Sequence, residues 1–191
     1  FANGGWAVEA RAIRAIEDQR GKAVFEDAGA RRRVLAPPVA FQALSMLRDV
    51  VARGTGDAAR SLGFPVAGKT GTTDDYRDAW FVGFSSNLVA GVWVGFDQPK
   101  PIGAGASASR VALPIWTAFM RRAAAVLPPG DFAAPPELEA VGLCSVSFEA
   151  PSERCPTYIE HFKAGDAVPQ SLLEPVRAVV SMAEITVGAR V

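Results

Sequence analysis

The sequence has few of the residues that build metal sites, and neither sign of charge is in excess. It contains one histidine, His161, and two cysteines, Cys144 and Cys155, which are too few ligands for a zinc site. Lysine plus arginine and aspartate plus glutamate both number 20, so the net charge is zero. This neutrality gives no electrostatic reason to expect binding to nucleic acid or to an anionic membrane. We therefore expect no metal, no cofactor and no nucleic-acid partner.

Long apolar segments are also missing, because no run reaches the roughly 20 residues that a transmembrane helix needs. The composition, 49% hydrophobic and 21% charged, is that of a folded globular chain, and 191 residues are enough for one sizeable core. The chain begins at Phe1 without a methionine. Residues 1–5 are typical of a helix end that two glycines terminate. We therefore expect a piece of a longer protein.

Apolar periodicity predicts an α+β fold built on an antiparallel sheet. Strands are predicted at 66–73, 79–85 and 88–96, and the short polar connections between them favour an antiparallel meander. A helix is predicted to begin at Pro37 and to end at Gly54, with Met46 and the leucines in the core.

A second helix is predicted at 111–126, and its apolar face should pack on the sheet. That face is expected to contain Leu113, Ile115, Trp116, Phe119 and Met120.

The N-terminal segment predicts a β-hairpin. Residues 6–26 alternate weakly in polarity around a turn at 18–21. The three arginines at 31–33 follow it, and we expect them to form a solvated turn.

The C-terminal segment predicts a separate appendage. Paired prolines predict a linker at 129–136 between residues 1–128 and a small β-rich appendage at 137–191. Within the appendage, β-branched residues predict a strand at 176–187.

The tetrapeptide Lys69-Thr70-Gly71-Thr72 is the most informative candidate site. It combines a cation, two hydroxyls and a residue without a side chain. On a strand edge, Lys69 and the hydroxyls could hold a carboxylate. Gly71 would let the backbone of a ligand approach closely.

The K-T-G triplet and its surroundings closely resemble the transpeptidase domain of class A (bifunctional) penicillin-binding proteins. The resemblance is dense from residue 1 to about 123. Matching segments are Phe-Ala-Asn-Gly-Gly at 1–5, the helix at 46–51, Gly-Thr-Gly at 54–56, Asp-Ala-Trp-Phe-Val-Gly-Phe at 78–84, the run at 88–97 and Ala-Leu-Pro-Ile-Trp at 112–116. It implies the C-terminal half of a β-lactamase/transpeptidase-like domain.

Residues 63–70 also fit G-x-x-x-x-G-K-T, the phosphate-binding P-loop. A P-loop needs a flexible loop of amide donors followed by a helix that begins at the lysine. Pro65 has no donor, Phe64 is bulky, and glycine and polar residues follow Lys69. We therefore expect a strand at this position and no nucleotide site.

The resemblance also implies a role for each residue of the tetrapeptide. Lys69 would supply positive charge to a substrate carboxylate, and the hydroxyls of Thr70 and Thr72 would bind it. The Thr72 backbone N–H would be one donor of an oxyanion hole. The implied ligands are the D-Ala-D-Ala end of a peptidoglycan stem peptide and β-lactams.

The nucleophile that this chemistry needs is not found in the sequence, because no serine has a lysine three residues later. Ser85-Ser86-Asn87 matches the family's S-x-N motif, but it follows K-T-G instead of preceding it, so we interpret it as a hairpin turn. The missing N-terminal half of the domain is expected upstream. The protein is expected on the periplasmic side, anchored to the inner membrane by another upstream segment. This chain alone should be inactive.

Three expectations remain open from the sequence. Residues 142–165 resemble a C-terminal extension of the same family, and this favours a disulfide between Cys144 and Cys155 over free thiols. A half-domain should expose a sheet face with Trp80, Phe81 or Trp93, and either self-association or an upstream segment could cover it. The alternative function is a non-catalytic module, a pseudo-transpeptidase that binds peptidoglycan or a partner protein.

Overall fold

A computed structural model of the protein describes residues 1–149 and 155–166. The chain divides into two compact units, Phe1–Pro135 and Pro136–Val191, and each unit is described by itself. The strand expected at 176–187 lies outside the described residues. Over the part of the chain that is described, none of the helices has the length and apolar character needed to cross a bilayer.

Two nested antiparallel strand pairs precede the first helix. Strands β2 (Ala15–Glu17) and β3 (Ala23–Glu26) form the expected hairpin around the turn at 18–21. Outside this hairpin, β1 (Trp6–Val8) pairs with β4 (Arg31–Arg33). The solvated turn expected at 31–33 is therefore wrong, because these arginines form a strand.

These arginines can form a strand because β4 pairs with β1, which places Trp6 against them. The guanidinium carbons of Arg31 and Arg33 lie 4.7 and 4.4 Å from the centre of the Trp6 ring. The cations stack on the indole while their charges remain in water, a favourable arrangement for arginine. Three adjacent charges are thus compatible with a strand when every second one has an aromatic partner.

Helix α1 (Pro37–Arg53) begins and ends as predicted, with prolines at its start and Gly54 after its last residue. Its core-facing residues include Phe41, Leu44 and Val51. Met46 was expected in the core, but its side chain is 65% exposed. At about 100° per residue, Met46 lies roughly 200° around the helix from Leu44 and so faces solvent. A 3₁₀ turn (Asp57–Leu62) follows α1.

The predicted meander is present as a three-stranded antiparallel sheet in the order β5–β6–β7. The strands are β5 (Ala67–Thr72), β6 (Ala79–Phe84) and β7 (Val89–Val94), each within two residues of its predicted bounds. Because β5 includes Lys69 and no helix begins there, the P-loop interpretation is excluded. The sheet with its packed helices confirms the predicted α+β class.

Helix α2 (Ala108–Val126) covers one face of this sheet. Trp116 is fully buried, and its ring packs edge-to-face against Phe81 with the ring centroids 4.8 Å apart. Its indole N–H donates to the Ala90 carbonyl at 3.0 Å. Leu113 and Met120 are buried beside it.

The predicted apolar face of α2 was too wide, because two of its members point away from the sheet. Ile115 and Phe119 are 53% and 48% exposed. They lie off the stripe that Leu113, Trp116 and Met120 form at spacings of three and four residues.

Two glycines permit the close packing of β5, β6 and α2. A Cβ atom added at Gly68 would lie 2.8 Å from the Phe81 ring and 2.9 Å from the Val82 carbonyl oxygen. One added at Gly83 would lie 2.8 Å from the Trp116 ring. Both positions therefore require the absence of a side chain.

The opposite face of the sheet is open near its β7 side. Trp80 and Trp93 are cross-strand partners on this face, and they are 47% and 42% exposed, with Val82 beside them. Phe81 was named with the two tryptophans as a candidate for exposure. It is instead fully buried on the α2 face, because successive side chains of a strand point to opposite sides.

In the second unit, β8 (Leu138–Cys144) pairs antiparallel with β9 (Thr157–Lys163). A disulfide joins Cys144 to Cys155, whose Cα atoms are 5.5 Å apart. The bond closes the connection between the two strands at the end where Cys144 pairs with Thr157.

Candidate active site

The candidate site lies on the free edge of β5, and its backbone directions follow from the strand register. Thr73 donates its N–H to the Asp78 carbonyl at 3.1 Å, which continues the pairing of Thr72 with Ala79. Since backbone groups of successive residues point to opposite edges, the Thr72 N–H and the Thr70 carbonyl point away from β6. No described strand pairs with β5 on that side.

Lys69 reaches this edge with its side chain. Its Cβ lies on the open face of the sheet, because its cross-strand partner is the exposed Val82. The ammonium bends over the edge and donates to the Thr70 carbonyl at 2.8 Å, and it lies 3.5 Å from the Thr70 hydroxyl oxygen. A positive charge is therefore held at the edge and remains exposed to solvent.

The Thr70 hydroxyl has a second partner in a distant part of the sequence. Its Oγ1 lies 2.7 Å from the Oγ1 of Thr55, in the turn that follows α1. Thr70 is half-buried on the α2 side of the strand, opposite Phe81. Helix α1 also packs along β5, and this packing brings the turn to the strand.

The Thr72 hydroxyl accepts a hydrogen bond from the backbone N–H of Ala108 at 3.0 Å. A hydroxyl has one donor and two acceptor sites, so Thr72 can still donate its proton to a ligand. Thr72 can therefore donate two hydrogen bonds to a ligand. One comes from its backbone N–H at the edge of the sheet and the other from its hydroxyl, which is hydrogen-bonded to α2.

Gly71 lies on the open face beside Lys69, opposite Trp80. A Cβ added here would meet only the Trp80 Cβ, at 3.5 Å, which is an ordinary contact. Unlike Gly68, this glycine is not required by packing within the described structure. Its absence of a side chain keeps the face next to Lys69 accessible.

Ser85-Ser86-Asn87 lies at the tip between β6 and β7, at the end of the sheet where Ala67 pairs with Phe84. Ser85 Oγ donates to Asn87 Oδ1 at 2.9 Å, and Asn87 Nδ2 donates to the Pro128 carbonyl at 3.0 Å. Ser86 Oγ accepts the Gly130 N–H at 2.9 Å. These residues bind the segment after α2, which agrees with their interpretation as a turn.

Sequence reasoning named all four residues of the tetrapeptide but missed the partners of their hydroxyls. Gly54-Thr55-Gly56 was noted only as a matching segment, and Ala108 was not noted at all. Thr55 lies 15 residues before Thr70 and Ala108 lies 36 residues after Thr72. The one sequence signal for Thr55 is that it is a small polar residue between two glycines, Gly54 and Gly56.

The chain belongs to the penicillin-binding protein transpeptidase family. The family described as "Penicillin binding protein transpeptidase domain" matches residues 1–121. The membership inferred from the K-T-G segment is thereby confirmed.

Similar proteins of known name support the same assignment. The chain is 43% identical over 155 residues to penicillin-binding protein 1A of Aquifex aeolicus, an alignment that covers 81% of this chain and 21% of the relative. It is 38% identical over 170 residues to penicillin-binding protein 1A of Pseudomonas aeruginosa, covering 88% of this chain and 20% of the relative. The chain thus spans about a fifth of the length of these relatives.

A solved structure shares the fold. Penicillin-binding protein 1A from Haemophilus influenzae superimposes with a TM-score of 0.77 and 24% sequence identity, over 90% of this chain and 31% of the solved chain. The architecture described above is therefore that of part of a larger known fold.

Proposed function

We propose that this chain is the C-terminal part of a peptidoglycan D,D-transpeptidase that cross-links cell wall by serine acyl transfer. It would contribute the K-T-G strand, while the nucleophilic serine, its lysine and the S-x-N motif would lie on a preceding segment of the same protein. The observation that supports this most directly is the free edge of β5, where the Lys69 ammonium lies beside the Thr70 carbonyl and hydroxyl and where the Thr72 N–H points away from β6.

The proposed chemistry assigns each group a separate task. Lys69 and the hydroxyls of Thr70 and Thr72 bind the terminal carboxylate of D-Ala-D-Ala or of a β-lactam through charge-assisted hydrogen bonds. The serine attacks the neighbouring carbonyl carbon, and the Thr72 N–H stabilises the oxyanion that forms. One such donor is worth roughly 3 kcal/mol in rate. Collapse of the intermediate breaks the scissile C–N bond and leaves an acyl-enzyme, and the leaving nitrogen takes up the proton that the serine lost. A stem peptide releases D-Ala in this step, whereas the nitrogen of an opened β-lactam ring stays attached to the acyl group.

The same proposal extends to organisation and location. Residues 1–128 would complete the transpeptidase domain, residues 129–136 would be a linker, and residues 137–191 would be a C-terminal extension. The protein would act on the periplasmic side of the inner membrane, anchored by a preceding segment. Its partners would be stem peptides, β-lactams and its own N-terminal half.

The test measures acylation of the full-length protein by a fluorescent penicillin. Lys69→Ala should lower the acylation rate constant roughly 10-fold to 100-fold, since it removes a charged hydrogen-bond donor. Lys69→Arg should lie between this variant and the parent, because a planar guanidinium does not replace a point charge.

A second surface lysine provides the matched control. Lys100 lies over the Phe96 ring at 4.2 Å, outside β5, and Lys100→Ala should acylate at the parental rate. Parental rates in both Lys69 variants would refute the proposed role of Lys69.

A non-catalytic module is the alternative, and the same probe separates the two. If the full-length protein has no S-x-x-K followed by S-x-N before Phe1 and takes up no covalent penicillin, the alternative is supported. In either case the isolated 191-residue chain should remain unlabelled, because it contains no serine paired with a lysine.

A further inference from the structure

The Thr55 side chain contacts the site but belongs to none of its motifs. Its hydroxyl lies 2.7 Å from that of Thr70. We propose that Thr55 is a positioning residue, which orients the Thr70 hydroxyl for binding the ligand carboxylate. The inference rests on the function proposed above, because it concerns the same group of Thr70.

The turn that presents Thr55 is packed tightly onto the end of α1. Gly56 donates its N–H to the Val50 carbonyl at 2.8 Å. A Cβ added at Gly54 would lie 3.0 Å from the Val50 Cα, and one at Gly56 would lie 3.1 Å from the Val50 carbonyl oxygen. Because the backbone on both sides of Thr55 lies directly against the helix end, the Cα of Thr55 is held beside β5, and from there its hydroxyl reaches Thr70.

The donor and acceptor capacities of these groups explain what Thr55 achieves, because either hydroxyl of the Thr55–Thr70 pair can be the donor. The Lys69 ammonium, 3.5 Å from Thr70 Oγ1, can only donate, so it cannot receive the Thr70 proton. When the Thr55 hydroxyl also donates, both lone pairs of Thr70 Oγ1 are engaged. The single Thr70 proton is then left for the carboxylate, which can only accept. Without Thr55, this hydroxyl is free to rotate away.

Acylation of the full-length protein by fluorescent penicillin tests the proposal. Thr55→Val keeps the shape but removes the hydroxyl, and we expect the acylation rate constant to fall about 5-fold to 10-fold, as for a lost hydrogen bond. Thr55→Ser keeps the hydroxyl and should restore the rate to within about 2-fold of the parent. If Thr55 acted through packing alone, Thr55→Ser should acylate more slowly than Thr55→Val, because serine lacks the methyl group that valine retains.

A double-mutant cycle with Thr70→Val shows whether Thr55 acts through Thr70. If it does, the variant with both substitutions should be no slower than Thr70→Val alone. Rate losses that multiply would overturn the proposal, and so would a parental rate in Thr55→Val while Thr70→Val is slow. A parental rate in Thr70→Val itself would instead refute the carboxylate role of Thr70, and the inference would fall with it.

Thr117→Val is the matched control for removing a threonine hydroxyl from this domain. Thr117 lies in α2 and is buried, and its hydroxyl has no hydrogen-bond partner among the described residues. The Thr117→Val protein should acylate at the parental rate. Thr55→Ala serves as a second variant, and thermal unfolding of each protein shows that it is folded. A folded Thr55→Ala with the parental rate would also contradict the proposal.

Discussion

The hydroxyl of Thr72 accepts a hydrogen bond from the backbone N–H of Ala108, at 3.0 Å, and so joins the end of β5 to the first residue of α2. The first N–H groups of a helix have no partner within the helix. Ser107, the N-cap residue of α2, makes no side-chain cap bond. Thr72 therefore supplies from another strand the acceptor that a local cap would normally provide.

Removing this acceptor should lower the stability of the domain. Thr72→Val leaves the Ala108 N–H without its partner and should reduce the free energy of unfolding by about 1 kcal/mol, as for the loss of a helix cap. Thr72→Ser should retain it. Denaturant unfolding of the full-length protein measures the difference, with Ser107→Ala as the control. Equal losses for Thr72→Val and Ser107→Ala would show that Thr72 does not cap α2.

Two glycines of β5 should respond differently to alanine. Gly68→Ala should cost about 1–3 kcal/mol, because its methyl group would overlap the Phe81 ring and the β6 backbone. Gly71→Ala should leave the unfolding transition nearly unchanged, since its methyl would meet only Trp80.

Acylation by penicillin separates the two positions further. The methyl of Gly71→Ala would stand beside Lys69, where the ligand has to approach, and should slow acylation in a fully folded protein. A Gly71→Ala protein that acylates at the parental rate would contradict the need for an open backbone at this position.

The Thr117 hydroxyl should be a source of instability. It is buried and has no hydrogen-bond partner among the described residues. Because an unpaired buried hydroxyl is unfavourable, Thr117→Val should raise the free energy of unfolding by about 1 kcal/mol. A lower Tm in Thr117→Val would show that this hydroxyl has a partner in solution, such as a bound water.

The open face of the sheet should make the isolated chain self-associate. It exposes Trp80, Val82 and Trp93 together, and contiguous apolar patches of this kind are uncommon on monomers. Light scattering after size-exclusion chromatography should find species larger than a monomer, and Val82→Lys should reduce them. Ile115→Lys, at an exposed position on α2, is the control. A monomeric parent chain would contradict this prediction.

Much of the sheet and of both helices was predictable because their signals are local. The strands at 67–94 follow from alternation and short turns, and the ends of α1 from its prolines and Gly54. The errors concern residues whose environment depends on distant neighbours. Met46 has helical spacing but points away from the core, and the arginines of β4 form a strand because Trp6 lies beneath them.

The sequence by itself determined the family and the chemical groups of the candidate site, because Lys69-Thr70-Gly71-Thr72 is contiguous and its residue types define what it can bind. Only the tertiary structure decided which groups these residues meet. Thr55 and Ala108 reach β5 through the packing of α1 and α2. A hydrogen bond depends on positions within a few tenths of an ångström, and no local pattern fixes such positions between residues 15 or 36 apart.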